Sequence, residues 1–246
     1  MMSLVSIIMP AYNAEKTIEK SIISIQNQTY GRWELLVTDD NSTDATRSIV
    51  LELAKSDKRI KYFPNKGKSG AWSARNNSIK VAEGEYIAFL DSDDTWLPQK
   101  LTLQISEMKA KNVNASHSSY YRVSDTGKVI GIKKASKLVS LNDMLKKNCI
   151  GNLTGIYNAK ALGKFYQQEV GHEDYAMWLE VLISTDSVGI EQPMANYLVT
   201  SNSLSSNKFK AALWHFNLLR KHKKVSAFSI WYYFCCYIVS SIKSRV

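Results

Sequence analysis

Residues 83–94 of the chain read Glu-Gly-Glu-Tyr-Ile-Ala-Phe-Leu-Asp-Ser-Asp-Asp. Residues 86–90 form a short apolar run that follows turn residues, which predicts a strand buried on both faces. The run ends in three carboxylates, Asp91, Asp93 and Asp94. Carboxylates at the end of a buried strand repel one another and are costly to desolvate unless a cation lies among them. Because oxygen ligands suit Mg²⁺ or Mn²⁺, the stretch predicts a metal site with open positions for phosphate oxygens.

A plain turn is the alternative for the same stretch. In that interpretation, Asp94 or Thr95 is the N-cap of a helix that begins near Leu97. A cap needs one acidic residue, whereas the sequence supplies three. The metal and phosphate site is therefore the favoured interpretation.

Strands and helices alternate from the start of the chain to this stretch. The predicted strands are residues 4–9, 33–38, 60–63 and 86–90, and the predicted helices are residues 14–28, 44–54 and 69–82. This alternation predicts an α/β fold with a largely parallel sheet and right-handed crossovers. Ligands bind at the carboxyl ends of the strands in such sheets. Those ends carry residues 10–13, 39–41 and 91–94, so we expect three polar clusters at one edge. A plain turn and an Asx-turn are the alternatives for the first two clusters.

The order of elements changes after Trp96. The predictions are a helix at 97–112, strands at 115–123 and 128–132 joined by a turn, a helix at 141–147, a strand at 152–157 and a helix at 173–184. Glu173 and Asp174 fall in the first turn of the last helix, where acidic side chains are favourable for the helix dipole. Helix capping and general-base catalysis therefore remain two interpretations of this acidic pair.

The composition is that of a globular protein with an excess of positive charge. The 246 residues are 45% hydrophobic and 22% charged, with a net charge of +10, which suits nucleic acid, an anionic membrane or a phosphorylated substrate. The absence of zinc-finger spacing, a basic helix with heptads and RNP-like aromatic motifs disfavours nucleic acid. Cys149, Cys235 and Cys236 do not suggest a disulfide framework. Residues 1–10 lack a secretory-signal pattern, so we expect a reducing cytoplasm.

The chain resembles the family 2 glycosyltransferases of bacterial surface-polysaccharide synthesis over residues 4–208. The segments that carry the resemblance are residues 5–13 (VSIIMPAYN), 24–30 (SIQNQTY), 34–44 (ELLVTDDNSTD), 74–76 (ARN), 84–94 (GEYIAFLDSDD) and 173–175 (EDY). The resemblance implies a GT-A fold, which has a Rossmann-like, mostly parallel central sheet flanked by helices, here with a C-terminal helical extension. It also implies an inverting transfer of a sugar from a nucleotide-diphosphate sugar, expected to be a UDP sugar. The implied acceptor is a hydroxyl of a lipid-linked oligosaccharide in O-antigen or capsule synthesis.

The resemblance also implies roles for the acidic residues. Asp91, Ser92 and Asp93 match the D-x-D motif of the family, in which Asp93 is the main ligand of Mn²⁺ or Mg²⁺ and Asp91 contacts the ribose or the metal. Asp174 matches the usual catalytic base, and Glu173 is the alternative because the register of this motif shifts between relatives.

The expected nucleotide site follows from the same matches. Tyr12 would pack on the base, Asp40 would accept a hydrogen bond from it, and Arg75 would help to hold the nucleotide or its diphosphate. The full set expected to bind the nucleotide is Pro10, Ala11, Tyr12, Asn13, Asp40, Asn41, Arg75, Asp91 and Ser92.

Two further parts of the expected site match the family less closely. Trp72 and His172 are candidates for the acceptor or sugar pocket, and buried packing is an equal interpretation of Trp72. A loop after the Glu-Asp helix often closes over the diphosphate in the family. Ser203, Ser205 and Lys208 are the candidates for that loop, with a solvated linker as the alternative.

The chemistry of the implied reaction agrees with these roles. A single displacement at an anomeric carbon needs a carboxylate to accept the acceptor proton and positive charge beside the departing diphosphate. Retention would need a nucleophile on the other face of the sugar, so we expect inversion. A nucleotidyltransferase and a non-catalytic nucleotide-binding or scaffold protein are the alternatives. Residues 10–16 lack the Gly-rich loop usual in nucleotidyltransferases, and Asp93 and Asp174 argue against a scaffold.

The C-terminal part differs in composition from the rest of the chain. We expect residues 1–205 to form the glycosyltransferase domain and residues 206–246 to form basic, aromatic helices. Residues 227–242 are uncharged and very aromatic, but are fewer than the roughly 20 residues that span a bilayer. With the basic residues before them, they predict an anchor on an anionic membrane surface. We expect that surface to be the inner face of the bacterial plasma membrane, where an undecaprenyl-diphosphate type of acceptor would lie. Packing on the domain or on a second subunit is the alternative.

Overall fold

The structure is a computed structural model and describes residues 2–199, 208–222 and 225–243. Its strands, all in one sheet, are β1 (Val5–Ala11), β2 (Trp33–Asp39), β3 (Ile60–Pro64), β4 (Tyr86–Phe89), β5 (Thr95–Trp96), β6 (Ala115–Val123), β7 (Val129–Lys133), β8 (Leu138–Val139), β9 (Ile156–Asn158) and β10 (Ser187–Leu198). Its helices are α1 (Ile18–Gln26), α2 (Thr46–Ser56), α3 (Ala71–Val81), α4 (Lys100–Lys111), α5 (Leu141–Lys146), α6 (Ala159–Leu162), α7 (Glu173–Val181), α8 (Lys208–Lys221) and α9 (Ala227–Lys243).

One half of the sheet is parallel, as the alternation of strands and helices predicts. Strands β3, β2, β1 and β4 lie in this order, and Val5 of β1 is opposite Trp33 of β2 and Tyr86 of β4. Successive side chains of a strand point to opposite faces. Ile7 therefore joins the hydrophobic cluster that contains α1, whereas Ile8 joins the cluster that contains α3 and α7. Helices cover both faces, which leaves the strand ends as the place for a polar site.

The other half of the sheet continues through β9, β6, β10 and β5. β9 is antiparallel to β4 and β6, and β10 is parallel to β6 with register irregularities on both sides of Pro193. The predicted strand at 152–157 is wrong in its first half, because Asn152–Thr154 is a 3₁₀ turn. Its second half is confirmed, since β9 begins directly after Gly155. The ring of Trp178 lies 2.0 Å from the position that a Cβ would take at Gly155. A side chain larger than that of glycine would therefore collide with Trp178 at the position between the turn and the strand.

The helix after the acidic strand end begins later than the sequence predicts. α4 begins at Lys100 and has no side-chain cap, so the prediction that Asp94 or Thr95 caps it is wrong. Asp94 instead accepts a hydrogen bond from the backbone N–H of Leu198 at 2.9 Å. Thr95 Oγ1 accepts a hydrogen bond from the side-chain amide of Asn196 at 3.0 Å. Both side chains therefore hold β10 against the segment that follows β4.

Helices α8 and α9 pack on the helical layer that contains α7. Leu219 of α8 is fully buried and belongs to the same hydrophobic cluster as Trp178. The ring of His215 is stacked between Tyr175 of α7 and Tyr237 of α9, with centroid distances of 5.5 Å and 4.0 Å. Within the three described ranges, no helix has both the length and the apolar character needed to cross a membrane.

Candidate active site

The carboxyl ends of β1, β2 and β4 meet at a cleft of about 820 Å³. Residues from all three predicted polar clusters line it. Of the predicted site residues, those that line the cleft are Pro10, Ala11, Tyr12, Asn13, Asp40, Arg75, Asp91, Ser92 and Asp93. Leu198, at the end of β10, also lines this cleft.

The turn after β1 is held by the loop after β2. Asn13 has a φ of 46°, a left-handed conformation that asparagine tolerates better than most residues. Its N–H donates to Ser42 Oγ at 2.9 Å, and its Oδ1 accepts from the N–H of Thr43 at 2.9 Å. The neighbouring Tyr12 side chain is 62% exposed, so its ring offers an open face to a planar ligand.

Asp40 holds the loop that leads into α3. Its carboxylate accepts hydrogen bonds from Asn65 Nδ2 at 2.6 Å, Ser69 Oγ at 2.8 Å and the N–H of Gly70 at 2.7 Å. A carboxylate has about four acceptor positions. Asp40 therefore keeps about one position for a ligand in the cleft that it lines.

The residues on either side of Asp40 have different surroundings. Asp39 Oδ1 accepts from the N–H of Ser42 at 3.0 Å, which is three positions on, whereas an Asx-turn bonds two positions on. Its Oδ2 accepts from Tyr62 Oη at 2.9 Å. Asn41 is exposed with a φ of 63° and is not among the described residues that line the cleft. A contact between Asn41 and the nucleotide stays a prediction.

Arg75 connects the D-x-D strand end to the helix that begins with Glu173. Its buried guanidinium donates to Asp91 Oδ1 at 2.6 Å, to Gln167 Oε1 at 3.1 Å and to Glu173 Oε1 at 3.4 Å. Its Nε–H is also buried and has no protein acceptor in the described part of the chain. Arg75 therefore positions two acidic side chains and places a positive charge at the wall of the cleft.

The three carboxylates after β4 have separate environments. Asp93 is exposed at the cleft, and local desolvation together with the charge of Asp91 raises its pKa. Burial, with the charges of Asp91 and Asp93, raises the pKa of Asp94 well above its usual range. Asp94 bonds to the backbone of Leu198 and does not line the cleft. The prediction that all three carboxylates surround a cation is therefore wrong for Asp94.

Asp91 and Asp93 fit a divalent cation that takes its other ligands from a bound phosphate. In the part of the chain that the structure describes, no group of three or more His, Cys, Asp or Glu side chains could hold a metal ion. Mg²⁺ is usually bound by one or two carboxylates with substrate phosphates. A cation here would also relieve the repulsion that raises the pKa of Asp93. The donor set is thus suited to an ion that arrives with a diphosphate.

The two acidic residues that begin α7 differ in their partners. His172 precedes them with a φ of 92°, and its side chain makes no capping hydrogen bond. Both acidic residues lie in the first turn of α7, so the helix-dipole interpretation stays a prediction beside the catalytic one. Glu173 forms an ion pair with Arg75. Asp174 has no ion pair among the described residues. Its burial raises its pKa, an effect that Arg75 opposes and Glu173 reinforces. Neither Glu173 nor Asp174 lines the 820 Å³ cleft among the described residues, and the role of Asp174 as the catalytic base stays a prediction.

The two residues predicted for the acceptor pocket make packing contacts. Trp72 is half-buried on α3 and lies against Gly70. His172 meets Trp214 of α8 edge to face, with ring centroids 5.1 Å apart. Neither Trp72 nor His172 lines the 820 Å³ cleft. Their role in an acceptor or sugar pocket stays a prediction.

Most of the predicted diphosphate loop lies outside the described residues. Ser203 and Ser205 lie outside the described residues. Lys208 is the first residue of α8. The participation of these three residues stays a prediction.

Sequence reasoning missed two kinds of site residue. Gln167 is buried, accepts from Arg75, and donates its backbone N–H to Asn76 Oδ1 at 2.8 Å. No motif or periodicity marks Gln167, so the sequence carries no signal for it. Lys16 and Thr17 also line the cleft. They lie five and six residues after the end of β1, and this position near the carboxyl end of a parallel strand could have predicted them.

Solved structures show the same fold. S. aureus TarS 1-349 in complex with UDP-GlcNAc aligns with a TM-score of 0.76 at 19% identity, over 96% of this chain and 72% of that chain. The mannosyltransferase PcManGT from Pyrobaculum calidifontis, in complex with GDP-Man and Mn²⁺, aligns with a TM-score of 0.68 at 18% identity, over 96% and 69% of the two chains. These alignments confirm the predicted GT-A fold.

Sequence comparisons identify the family. The Glycosyl transferase family 2 model matches residues 6–166. The Escherichia coli protein WfgD, a UDP-Glc:alpha-D-GlcNAc-diphosphoundecaprenol beta-1,3-glucosyltransferase, is 41% identical over 98% of this chain and 95% of its own length. WfaP from Escherichia coli, with the same described activity, is 37% identical over 89% and 86%. TuaG from Bacillus subtilis, a putative teichuronic acid biosynthesis glycosyltransferase, is 33% identical over 99% and 98%. The chain belongs to glycosyl transferase family 2, as its motifs predict.

Proposed function

We propose that the protein transfers glucose from UDP-glucose to a hydroxyl of a saccharide carried on undecaprenyl diphosphate, with inversion at the anomeric carbon. The described activities of WfgD and WfaP support this donor and acceptor. The structural observation that supports it is the arrangement around Arg75, which engages Asp91 and Glu173. Within the described residues, Arg75 forms no ion pair with Asp93 or Asp174, so Asp93 can bind the metal and Asp174 can accept the proton of the acceptor.

Asp174 is the general base in this proposal. Its carboxylate accepts the proton of the acceptor hydroxyl while that oxygen bonds to the anomeric carbon of glucose. The bond from this carbon to the diphosphate oxygen breaks at the same time, and UDP leaves. One displacement inverts the configuration. The burial that raises the pKa of Asp174 also makes it a stronger base than an exposed aspartate.

The donor is held by the strand ends around the cleft. Tyr12 stacks on the uracil, and Asp40 accepts a hydrogen bond from the base. Asp93 and Asp91 would hold Mn²⁺ or Mg²⁺ together with the diphosphate oxygens. When bound, this ion neutralises the charge that develops on the departing UDP. Arg75 keeps Asp91 in place through its 2.6 Å ion pair.

The C-terminal helices support a location on the membrane that carries the acceptor. Phe228 is 93% exposed and Trp231 is 63% exposed on α9, a helix without charged residues from position 227 to position 242. An apolar, aromatic helix face beside basic residues is typical of proteins that lie in a membrane interface. We therefore assign catalysis to residues 1–205 and peripheral association with the inner face of the bacterial plasma membrane to residues 206–246.

The proposed reaction is tested with the full chain, UDP-glucose, Mn²⁺ and a short-chain prenyl diphosphate that carries GlcNAc. Asp174→Asn should lower kcat by about 100-fold or more, because a general base contributes at least that factor. Asp93→Asn should lower kcat/KM and raise the concentration of Mn²⁺ needed for half-maximal rate. Glu52→Gln is the control, because Glu52 is an exposed residue of α2, and it should keep full activity.

The product of the same assay reports the stereochemistry. Proton NMR should show a β-linked glucose from the α-linked donor, and an α-linked product would refute inversion. Equal rates for the wild-type protein and Asp174→Asn would refute Asp174 as the base. If no UDP sugar is transferred and no metal-dependent binding of UDP is measured, the non-catalytic alternative replaces this proposal.

A further inference from the structure

A second cleft of about 300 Å³ lies beside the donor cleft. The residues that line both clefts are Lys16, Thr17, Asp93 and Leu198. The second cleft extends from this shared wall to Lys20 on α1 and to Val129 in the hairpin of β6 and β7. A ligand that extends from the second cleft past this shared wall would enter the donor cleft.

Two lysines line the second cleft together with two carboxylates, Asp93 and Asp125. Lys16 precedes Thr17, the N-cap of α1, Lys20 lies in the first turn of the helix, and both line the cleft. Both are exposed, and the ion pairs of the described chain include neither. Cations at a helix N-terminus are unfavourable for the helix dipole, and a bound anion would offset this cost. The carboxylate of Asp125, which also lines the cleft, accepts a hydrogen bond from the next backbone N–H.

The second cleft borders an apolar edge strand. Val129 of β7 lines the cleft, and Val129, Ile130 and Ile132 are each about half-exposed. β7 pairs only with β6 among the described strands. Contiguous apolar side chains on an exposed edge strand are usually avoided, and where they occur they mark a binding surface. Lys128 and Lys133 flank the three side chains. A ligand that suits this edge strand has a hydrocarbon chain beside an anionic group.

We propose that the second cleft binds the prenyl diphosphate part of the acceptor lipid. This inference rests on the proposed function, which requires such an acceptor. The diphosphate lies against Lys16 and Lys20, and the first prenyl units lie on β7 beside Val129. The saccharide then occupies the shared wall at Asp93, with its hydroxyl directed to the donor cleft.

Direct binding of farnesyl diphosphate to the full chain tests this site without turnover. The protein is first saturated with UDP and Mn²⁺ so that the donor cleft is filled, and binding is then measured by isothermal titration calorimetry. Lys20→Gln should weaken binding about tenfold, because it removes one charge-assisted contact. Val129→Asn should weaken the binding of farnesyl diphosphate but not that of inorganic diphosphate. The controls are Lys109→Gln on the exposed side of α4 and the apolar replacement Val129→Leu, which should both bind as the wild type does.

The transfer assay gives a second readout for the same variants. Lys20→Gln should raise the KM for the acceptor about tenfold and leave the KM for UDP-glucose unchanged. Equal farnesyl diphosphate affinities for the wild type, Lys20→Gln and Val129→Asn would overturn the inference, as would an affinity no higher than that for inorganic diphosphate. Farnesyl diphosphate binding that depends on Lys20 and Val129, in a protein that transfers no sugar, would support this site and overturn the proposed reaction.

Discussion

Arg75 is the residue on which the geometry of the candidate site most depends. Its guanidinium joins Asp91, at the end of a strand, to Glu173, at the start of a helix. The same side chain is anchored by the buried Gln167. Without the arginine, two carboxylates would face each other at the wall of a cleft that must also hold a diphosphate. The repulsion would displace both acidic segments of the site.

Arg75→Met should therefore reduce both stability and activity. We expect a loss of about 3 kcal/mol in the free energy of unfolding, at the lower end of the range for a broken buried ion pair because both carboxylates are partly exposed. We also expect a decrease of about tenfold or more in kcat/KM for UDP-glucose, because the diphosphate loses a neighbouring positive charge. Urea unfolding and the transfer assay measure the two effects. The exposed Arg32 provides the control Arg32→Met, and the interpretation fails if both variants unfold at the same urea concentration.

At the residue scale, the sequence predicted which segments line the cleft but not the orientation of each side chain. The residues of the D-x-D motif follow a strand whose direction is set by the parallel sheet, so their convergence with residues 10–13 could be predicted. The orientation of Asp94 could not, because it depends on the backbone N–H of Leu198, which comes from a distant strand. Gln167 escaped prediction for the same reason, since its role is defined only by its contact with Arg75.

At the element scale, strands with a continuous apolar run were predictable and the longest strand was not. β1 and β2 are buried at every position, and their apolar runs predict their bounds to within two residues. β10 has 12 residues, but it contains Gly189 and Pro193 and its register shifts twice against β6. Bulges interrupt the alternation on which strand prediction depends. The sheet beyond β9 therefore follows from tertiary pairing rather than from local sequence.

The stack of His215 between Tyr175 and Tyr237 predicts a pH dependence of stability. Burial lowers the pKa of His215 to about 4 and that of the core residue His117 to about 4, whereas both titrate near 6.5 in an unfolded chain. Below about pH 6.5 the unfolded state binds more protons than the folded state, so the free energy of unfolding decreases as the pH falls from about 6.5 to about 4.

His215→Phe should keep the ring stack and remove about half of this decrease, because His117 contributes the other half. Urea unfolding at several pH values between 7 and 4.5 measures the slope for the wild type and the variant. His222→Phe is a less suitable comparison because the histidine at 222 has contacts of its own. An identical slope for the wild type and His215→Phe would contradict the assignment of this pH dependence to the stack.

At the scale of the whole molecule, positive charge and one apolar helix face act together. In the proposed membrane association, the net charge of +10 would attract the chain to anionic lipid over roughly one Debye length, and the exposed aromatic side chains of α9 would then provide apolar contact. The helices cannot simply be deleted to test this, because Leu219 and Trp214 cover parts of the domain. Substitutions on the outer face of α9 are therefore the appropriate change.

The double variant Phe228→Ser and Trp231→Ser should lower binding to phosphatidylglycerol vesicles by about tenfold or more, because two large apolar contacts are removed. Vesicle sedimentation at low salt measures the change, and binding of the wild type should fall as salt is raised. Tyr166→Ser is the control, because Tyr166 is a half-exposed aromatic residue outside the C-terminal helices. A wild-type protein that does not sediment with anionic vesicles at low salt would exclude the anchor.

The contact between Gly171 and Trp214 joins the C-terminal helices to the acidic pair. A Cβ at Gly171 would lie 2.0 Å from the indole of Trp214, so α8 rests on the backbone from which Glu173 and Asp174 begin. If the proposed membrane association displaces α8, membrane docking and donor binding become two linked binding equilibria. The factor by which the bilayer changes the affinity for the donor then equals the factor by which the donor changes the affinity for the bilayer. A chain coupled in this way would protect its nucleotide sugar from wasteful hydrolysis by water until a lipid surface has been reached.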